Sequence, residues 1–288
     1  AALTGLVGLV VGGLAGRWLG TPGQPGSLEL AYSDPVIKQG SILMSRPGAL
    51  FAFSQQYFHK SVVLIIRHRS NRDVGIILNR PTAIVTTQLG IEGPPWQILF
   101  GGDCDGLSTF GAYGEAAMYC LHTQERFAAS SREVVPGVYL LDFKKGREIV
   151  LRGEAQTTDF LLVVGYCGWG DGQLQSELDR GCWKMASVDG RILIRELREE
   201  ALELRALPRL GLDDGIALWR HIYAVVDSGF SGQAQEEDFT GDQLADSMLR
   251  EWVQARLGGL ELRQEGFIDD PQLREWAEAI LNQDASGE

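Results

Sequence analysis

Few side chains in this sequence are of a type and in a setting that could do chemistry. His68 and His122 are the histidine candidates, and Asp103, Asp105 and Asp171 stand in glycine-rich stretches. A hydrolase would need a nucleophile, a base and an orienting acid within hydrogen-bond reach of one another. No Gly-x-Ser-x-Gly elbow supplies the first of these. His68, His122 and Asp103 are of metal-ligating types, but their separations match no zinc-module spacing. His122 fits better as a satisfied structural histidine. No catalytic residue, metal or cofactor is predicted, and an enzyme ranks third among the functional readings.

The run Gly165-Tyr-Cys-Gly-Trp-Gly-Asp-Gly172 is the other place where chemistry could sit. It falls between a predicted strand and a predicted helix, where phosphates often bind. Neither Gly-x-Gly-x-x-Gly nor a Walker-type lysine is present in it. Two readings compete. In the structural one, glycines permit positive φ and close backbone approach while Tyr166 and Trp169 fill the core. In the other, Gly165, Cys167, Gly168, Trp169 and Gly170, with His122, form a ligand site. Cys104, Cys120, Cys167 and Cys182 contain no C-x-x-C pair and read as reduced, mostly buried thiols.

The elements that must position these residues are of both kinds. Ser61–Ile66 and Val74–Leu78 are apolar, β-branched runs joined by Arg67–Asp73, which predicts a hairpin. Asn79-Arg-Pro-Thr82 ends the second strand, since proline cannot donate to a ladder. Further strands are predicted at Val138–Leu141, Phe160–Val164 and Trp183–Val188. Helices are predicted at Gln173–Arg180, with Asp171 as its cap, and at Ile216–Val226. The fold class is α+β.

Several of these pieces together resemble the AlgH/YqgE family. They are Gly40-Ser-Ile-Leu-Met-Ser45, Phe58-His-Lys-Ser-Val-Val-Leu64, His68, Gly75-Ile-Ile-Leu-Asn-Arg-Pro-Thr82, Phe100-Gly-Gly102 and Leu121-His-Thr123. Gly165-Tyr-Cys-Gly-Trp-Gly-Asp-Gly-Gln-Leu174, Glu177-Leu178, Trp183 and Trp219 extend the match to residues 40–227. The resemblance implies a bifurcated mixed β-sheet forming a pseudo-barrel with flanking helices. It brings no reaction with it. Bacterial members are linked to regulation, and eukaryotic relatives are often plastid-targeted. The sequence departs from the family at Asp103-Cys104, which follow Gly101-Gly102 where the family favours proline.

The ends lie outside the bacterial domain. Residues 1–20 open with sixteen uncharged residues, closed by Arg17 and Trp18, a flank favoured at a headgroup interface. Gly5, Gly8, Gly12 and Gly16 offer a small-residue face for a neighbouring helix. A membrane anchor, a targeting remnant and a soluble helix all remain open for this segment. Residues 21–39 read as a linker. Residues 228–288 carry 14 acidic and 4 basic side chains, a net of −10 out of −12 for the chain. There Thr240-Gly-Asp-Gln243 fits a capping box before a helix bearing Trp252, and a second short helix carries Trp276. Both helices are expected to expose their acidic faces. The acidic balance excludes a phosphate-tracking nucleic-acid binder.

The first expectation is therefore a non-catalytic accessory or scaffold subunit of a membrane-associated assembly. It would sit in a plastid, at the thylakoid or another organelle membrane, with a photosynthetic complex as partner. Residues Gly5, Gly8, Gly12, Gly16, Trp18, Trp252 and Trp276 would meet that partner. The alternative is a soluble regulator that binds a small ligand or a protein at Gly165–Gly172.

Overall fold

The computed structural model describes residues 30–31, 36–48, 51, 54–107, 117–191, 193–194, 197, 215–220, 222–223 and 242–258. Their architecture is α+β, built on two six-stranded sheets. The first sheet has the order β1 (Leu30–Ala31), β12 (Trp183–Val188), β2 (Ile42–Ser45), β3 (Val62–Arg69), β4 (Arg72–Ile77), β11 (Cys167–Gly170). All its neighbours are antiparallel. The second has the order β5 (Pro81–Val85), β6 (Gln97–Phe100), β10 (Leu161–Val164), β7 (Met118–His122), β9 (Val138–Asp142), β8 (Arg132–Val135). It is mixed, because β6 and β10 run parallel.

The chain passes directly from one sheet to the other twice, between β4 and β5 and between β10 and β11. The sheets are thus forks of one structure, the expected bifurcation, and among the described residues neither closes on itself. Alternating side chains give each sheet two apolar faces. Ile42, Met44, Val62, Leu64 and Ile76 face Leu121, Val138, Leu140 and Val163 across the gap between the sheets. The intervening Leu43, Val63, Ile65 and Ile77 form a second core on the outer face of the first sheet. That core is covered by α2 (Gln173–Asp179), through Leu174, and by α3 (Gln243–Leu257), through Leu249, Val253 and Leu257. A third core of Ile98, Cys120, Leu141 and Leu162 lies under α1 (Phe143–Leu151), which contributes Phe143 and Ile149.

Some local expectations need correction. The hairpin strands are longer than predicted, and only Ser70 and Asn71 separate β3 from β4. β4 ends before Asn79-Arg-Pro-Thr82, as expected, and Pro81 also begins β5, a position that needs no ladder donor. Asp171 does not cap α2; its N-cap is Gly172 at φ 66°, in the left-handed region where a side chain is strained. The described part of α3 begins at Gln243 with Asp242 at its N-cap and no side-chain cap bond, two residues past the cap that Thr240 would provide. Thr240 itself, residues 1–29 and residues 259–288 lie outside the described residues, as do Gly5, Gly8, Gly12, Gly16, Trp18 and Trp276.

Candidate functional site

His122 and His68 are each held by partners of their own. His122 is buried on β7 and stacked on Tyr139 at 5.5 Å. Its Nδ1 accepts from the Gln124 backbone N–H at 3.2 Å, so the ring proton sits on Nε2 and is donated to Ser131 Oγ at 2.9 Å. Ser131 passes its own proton to the Phe127 carbonyl at 2.8 Å. His68 is bound through Nδ1 to Asp73 Oδ1 at 2.6 Å. Among the described residues no three His, Cys, Asp or Glu side chains gather as a metal site.

The loop at 165–172 is divided by its own geometry. Gly165 has φ 79°, and a Cβ there would collide with the Gly102 carbonyl oxygen; it lets the segments that follow β6 and β10 pack closely. Cys167 and Trp169 point into the outer core of the first sheet. The Cys167 thiol donates to the Gly101 carbonyl at 3.4 Å, and its complete burial pushes its pKa well above the ordinary value. Trp169 Nε1 donates to Glu177 Oε2 at 2.9 Å, and Trp183 Nε1 donates to the same oxygen at 2.8 Å. Gly168 and Gly170 are exposed at the backbone edge. Tyr166 turns the other way and packs against the core between the sheets.

Tyr166 borders a cavity of about 290 Å³. Arg67, Arg72, Arg132, Tyr119, Asp105 and Asp142 supply its polar lining, and Ile66, Val74 and Leu140 its apolar wall. A β-bulge shapes it: the β3–β4 register shifts between Ile65 and Arg67. In a regular strand Ile66 and Arg67 would face opposite sides; at the bulge both line the cavity. Arg132 reaches across from β8 and donates to the Ile66 carbonyl at 2.6 Å. Arg72 donates to the Tyr166 hydroxyl at 3.0 Å and lies 5.7 Å from the ring centroid. Tyr166 in turn donates to Asp105 Oδ2 at 3.0 Å. Burial, followed by the charge of Arg67, pulls the Arg132 pKa below its ordinary value. No short sequence motif announces this site, because its arginines come from three strands.

A second polar cluster was also invisible in the sequence. Lys60 is completely buried with φ 50°, and its Nζ lies 2.6 Å from Asp246 Oδ1 and 3.4 Å from Asp242 Oδ2. His59 Nε2 donates to Asp246 Oδ1 at 2.8 Å. Burial lowers the His59 pKa, and the hydrogen bond to Asp246 only partly offsets this. Burial alone would raise the Asp246 pKa, but the bonds from Lys60 and His59 outweigh it and hold the carboxyl below its ordinary range. The Asn-Arg pair completes the junction. Asn79 donates to the Lys60 and Gly215 carbonyls at 2.9 and 2.8 Å, and Arg80 donates to the Asn79 and His59 carbonyls. Two acidic residues of the expected solvent face are thus inside the protein. Trp252 packs on Tyr57 and Phe100 at 5.6 and 5.2 Å, in the same chain.

Comparison with known proteins agrees with the sequence resemblance. The AlgH-like family model (DUF179) matches residues 48–213. A UPF0301 protein of Xanthomonas axonopodis pv. citri is 32% identical over 173 residues, which covers 57% of this chain and 87% of that protein. A UPF0301 protein of Xanthomonas campestris pv. campestris is 31% identical over 169 residues, with the same coverage. Among solved structures, the AlgH protein from Pseudomonas aeruginosa is similar with a TM-score of 0.44 at 20% identity, covering 72% of this chain and 100% of that one. Asp242 and Asp246 lie beyond the family-matched residues, whereas His59, Lys60, Asn79 and Arg80 lie within them.

Proposed function

The chain belongs to the AlgH-like family, and on that premise we propose that it is a non-catalytic accessory protein that acts by binding. The small ligand binds in the cavity at Tyr166. One observation carries the reading: the bulge at Ile66 turns two successive side chains into that cavity, as a built site requires. By contrast, His59, Asn79, Arg80, His122 and Glu177 are engaged in holding strands and helices together. The test is native mass spectrometry of the full chain purified without denaturation. A small molecule retained by the wild type and lost in Tyr166→Ala, at unchanged melting temperature, is expected. A wild-type chain that retains nothing and binds nothing from a metabolite library would defeat the reading.

A second reading adds a membrane-associated assembly, reached through residues 1–19 and the acidic C-terminal residues. Sixteen uncharged residues ending at Arg17-Trp18 support it. Among the described residues no helix is long and apolar enough to cross a membrane. The relatives named above are bacterial, so the plastid and photosynthetic parts of this reading rest on the resemblance to eukaryotic members. Carbonate washing decides the anchor. Release of the protein by the wash, with unchanged location on deleting residues 1–20, excludes it.

A further inference from the structure

Resting on the reading of the Tyr166 cavity as a ligand site, we infer that its ligand is a small organic phosphate gripped by Arg67, Arg72 and Arg132. The chain carries a net charge of −12, yet three arginines line one cavity of about 290 Å³. They arrive there by separate devices. The bulge brings Arg67 in, the Arg69–Arg72 closing pair of the hairpin sets Arg72 beside it, and β8 supplies Arg132 from the other sheet.

The lining carboxylates, Asp105 and Asp142, offset part of this charge but form no ion pair with the arginines. Asp105 accepts the Tyr166 hydroxyl, and Asp142 accepts the Lys144 backbone N–H as the N-cap of α1. Among the described residues, Arg67, Arg72 and Arg132 make no ion pair. Three arginines against two carboxylates leave the lining with a positive balance that a bound anion would compensate. Arg132 is already anchored by one bond to the Ile66 carbonyl and Arg72 by one to Tyr166, which leaves further N–H groups of each guanidinium for a ligand.

The number of donors selects the anion. Three forks offer more N–H groups than the two oxygens of one carboxylate can accept, whereas a phosphoryl group presents three oxygens and close to two charges. A bare phosphate would also leave the wall of Ile66, Val74 and Leu140 unfilled. A compact organic body esterified to the phosphate matches both parts of the lining.

The test is calorimetric titration of the full chain at low ionic strength with inorganic phosphate, glycerol phosphate and malonate. Saturable binding of glycerol phosphate is expected, tighter than that of phosphate or malonate and weaker as salt rises. Arg67→Gln and Arg72→Gln, both exposed and outside the cores, should each weaken it about tenfold or more at unchanged melting temperature. Arg152→Gln, on the surface at the end of α1, should leave it unaltered. The inference is overturned by no saturable phosphate binding, by binding indifferent to Arg67 and Arg72, or by tighter binding of malonate. If a neutral or cationic molecule is retained and lost in Tyr166→Ala, the phosphate assignment falls and the cavity reading stands. If nothing binds, both fall.

Discussion

Lys60 Nζ and Asp246 Oδ1 lie 2.6 Å apart although 186 positions separate them in the chain. Lys60 stands within the family-matched residues and Asp246 beyond them, so the pair fastens α3 to the family domain. A buried ion pair is not in itself a large net gain, because both charges must be stripped of water. Breaking one is costly, since the survivor is left buried alone. Asp246→Ala should therefore lower the unfolding free energy by about 3–5 kcal/mol, near the lower end because Asp242 remains 3.4 Å from the amine. The double change Lys60→Met with Asp246→Leu should cost distinctly less. Urea denaturation of the three chains measures this; equal losses for the single and double variants would show that the charges are not what matters.

The same junction makes stability depend on pH. His59 has its folded pKa below the ordinary 6.5. The unfolded chain then takes up a proton that the native chain refuses, and stability falls as pH drops below about 6.5 toward the folded value. Asp246, also depressed, contributes stability that is present above 3.8 and lost below it. His59→Gln keeps a neutral donor for Asp246 and cannot titrate. The wild-type unfolding free energy minus that of His59→Gln should therefore shrink between pH 7 and pH 5. A difference that is flat over that interval would mean that His59 protonates equally well in both states.

Glu177 holds two buried indoles with one oxygen, at 2.9 Å to Trp169 and 2.8 Å to Trp183. Removing the acceptor strands two donors, each at about 1–3 kcal/mol. Glu177→Leu should thus destabilise by several kcal/mol, while Glu177→Gln keeps a carbonyl acceptor and should cost less. The order of the two chemical denaturation midpoints tests the arrangement. Leu equal to or better than Gln would mean that the indole bonds contribute little.

Why some of this was legible and some was not follows from range. The strands at Val138–Leu141, Phe160–Val164 and Trp183–Val188 announce themselves by local pattern, and the structure keeps them with shifts of a residue. The expectation that His122 is structural rested on a general rule about buried polar groups, and its bonds to Gln124 and Ser131 are local ones. The Asp171 cap went wrong because Gly172 takes the N-cap position in a left-handed conformation, which residue type alone does not force. The acidic face of α3 was misread because the cation that neutralises it lies on β3's approach, far away in sequence. The arginine cavity needed a bulge, and nothing in Leu64-Ile-Ile-Arg67 distinguishes a bulged strand from a straight one.

The cysteines give the last prediction, and it separates two neighbours in space. Cys104 is exposed, whereas Cys120, Cys167 and Cys182 are buried and all four thiols are free. Burial raises the Cys120 and Cys167 pKa values, so neither offers thiolate at neutral pH. Cys104 forms an isolated bridge with Tyr166, its N–H donating to the Tyr166 carbonyl at 3.0 Å and its carbonyl accepting the Tyr166 N–H at 3.1 Å. With a chromogenic disulfide in native buffer, one thiol should react quickly and the other three only as the protein unfolds. Cys104→Ser should abolish the fast phase and Cys167→Ser should leave it intact. If Cys167 proves to be the fast thiol, the outer core of the first sheet opens far more readily than its packing of Trp169, Trp183 and Leu174 implies.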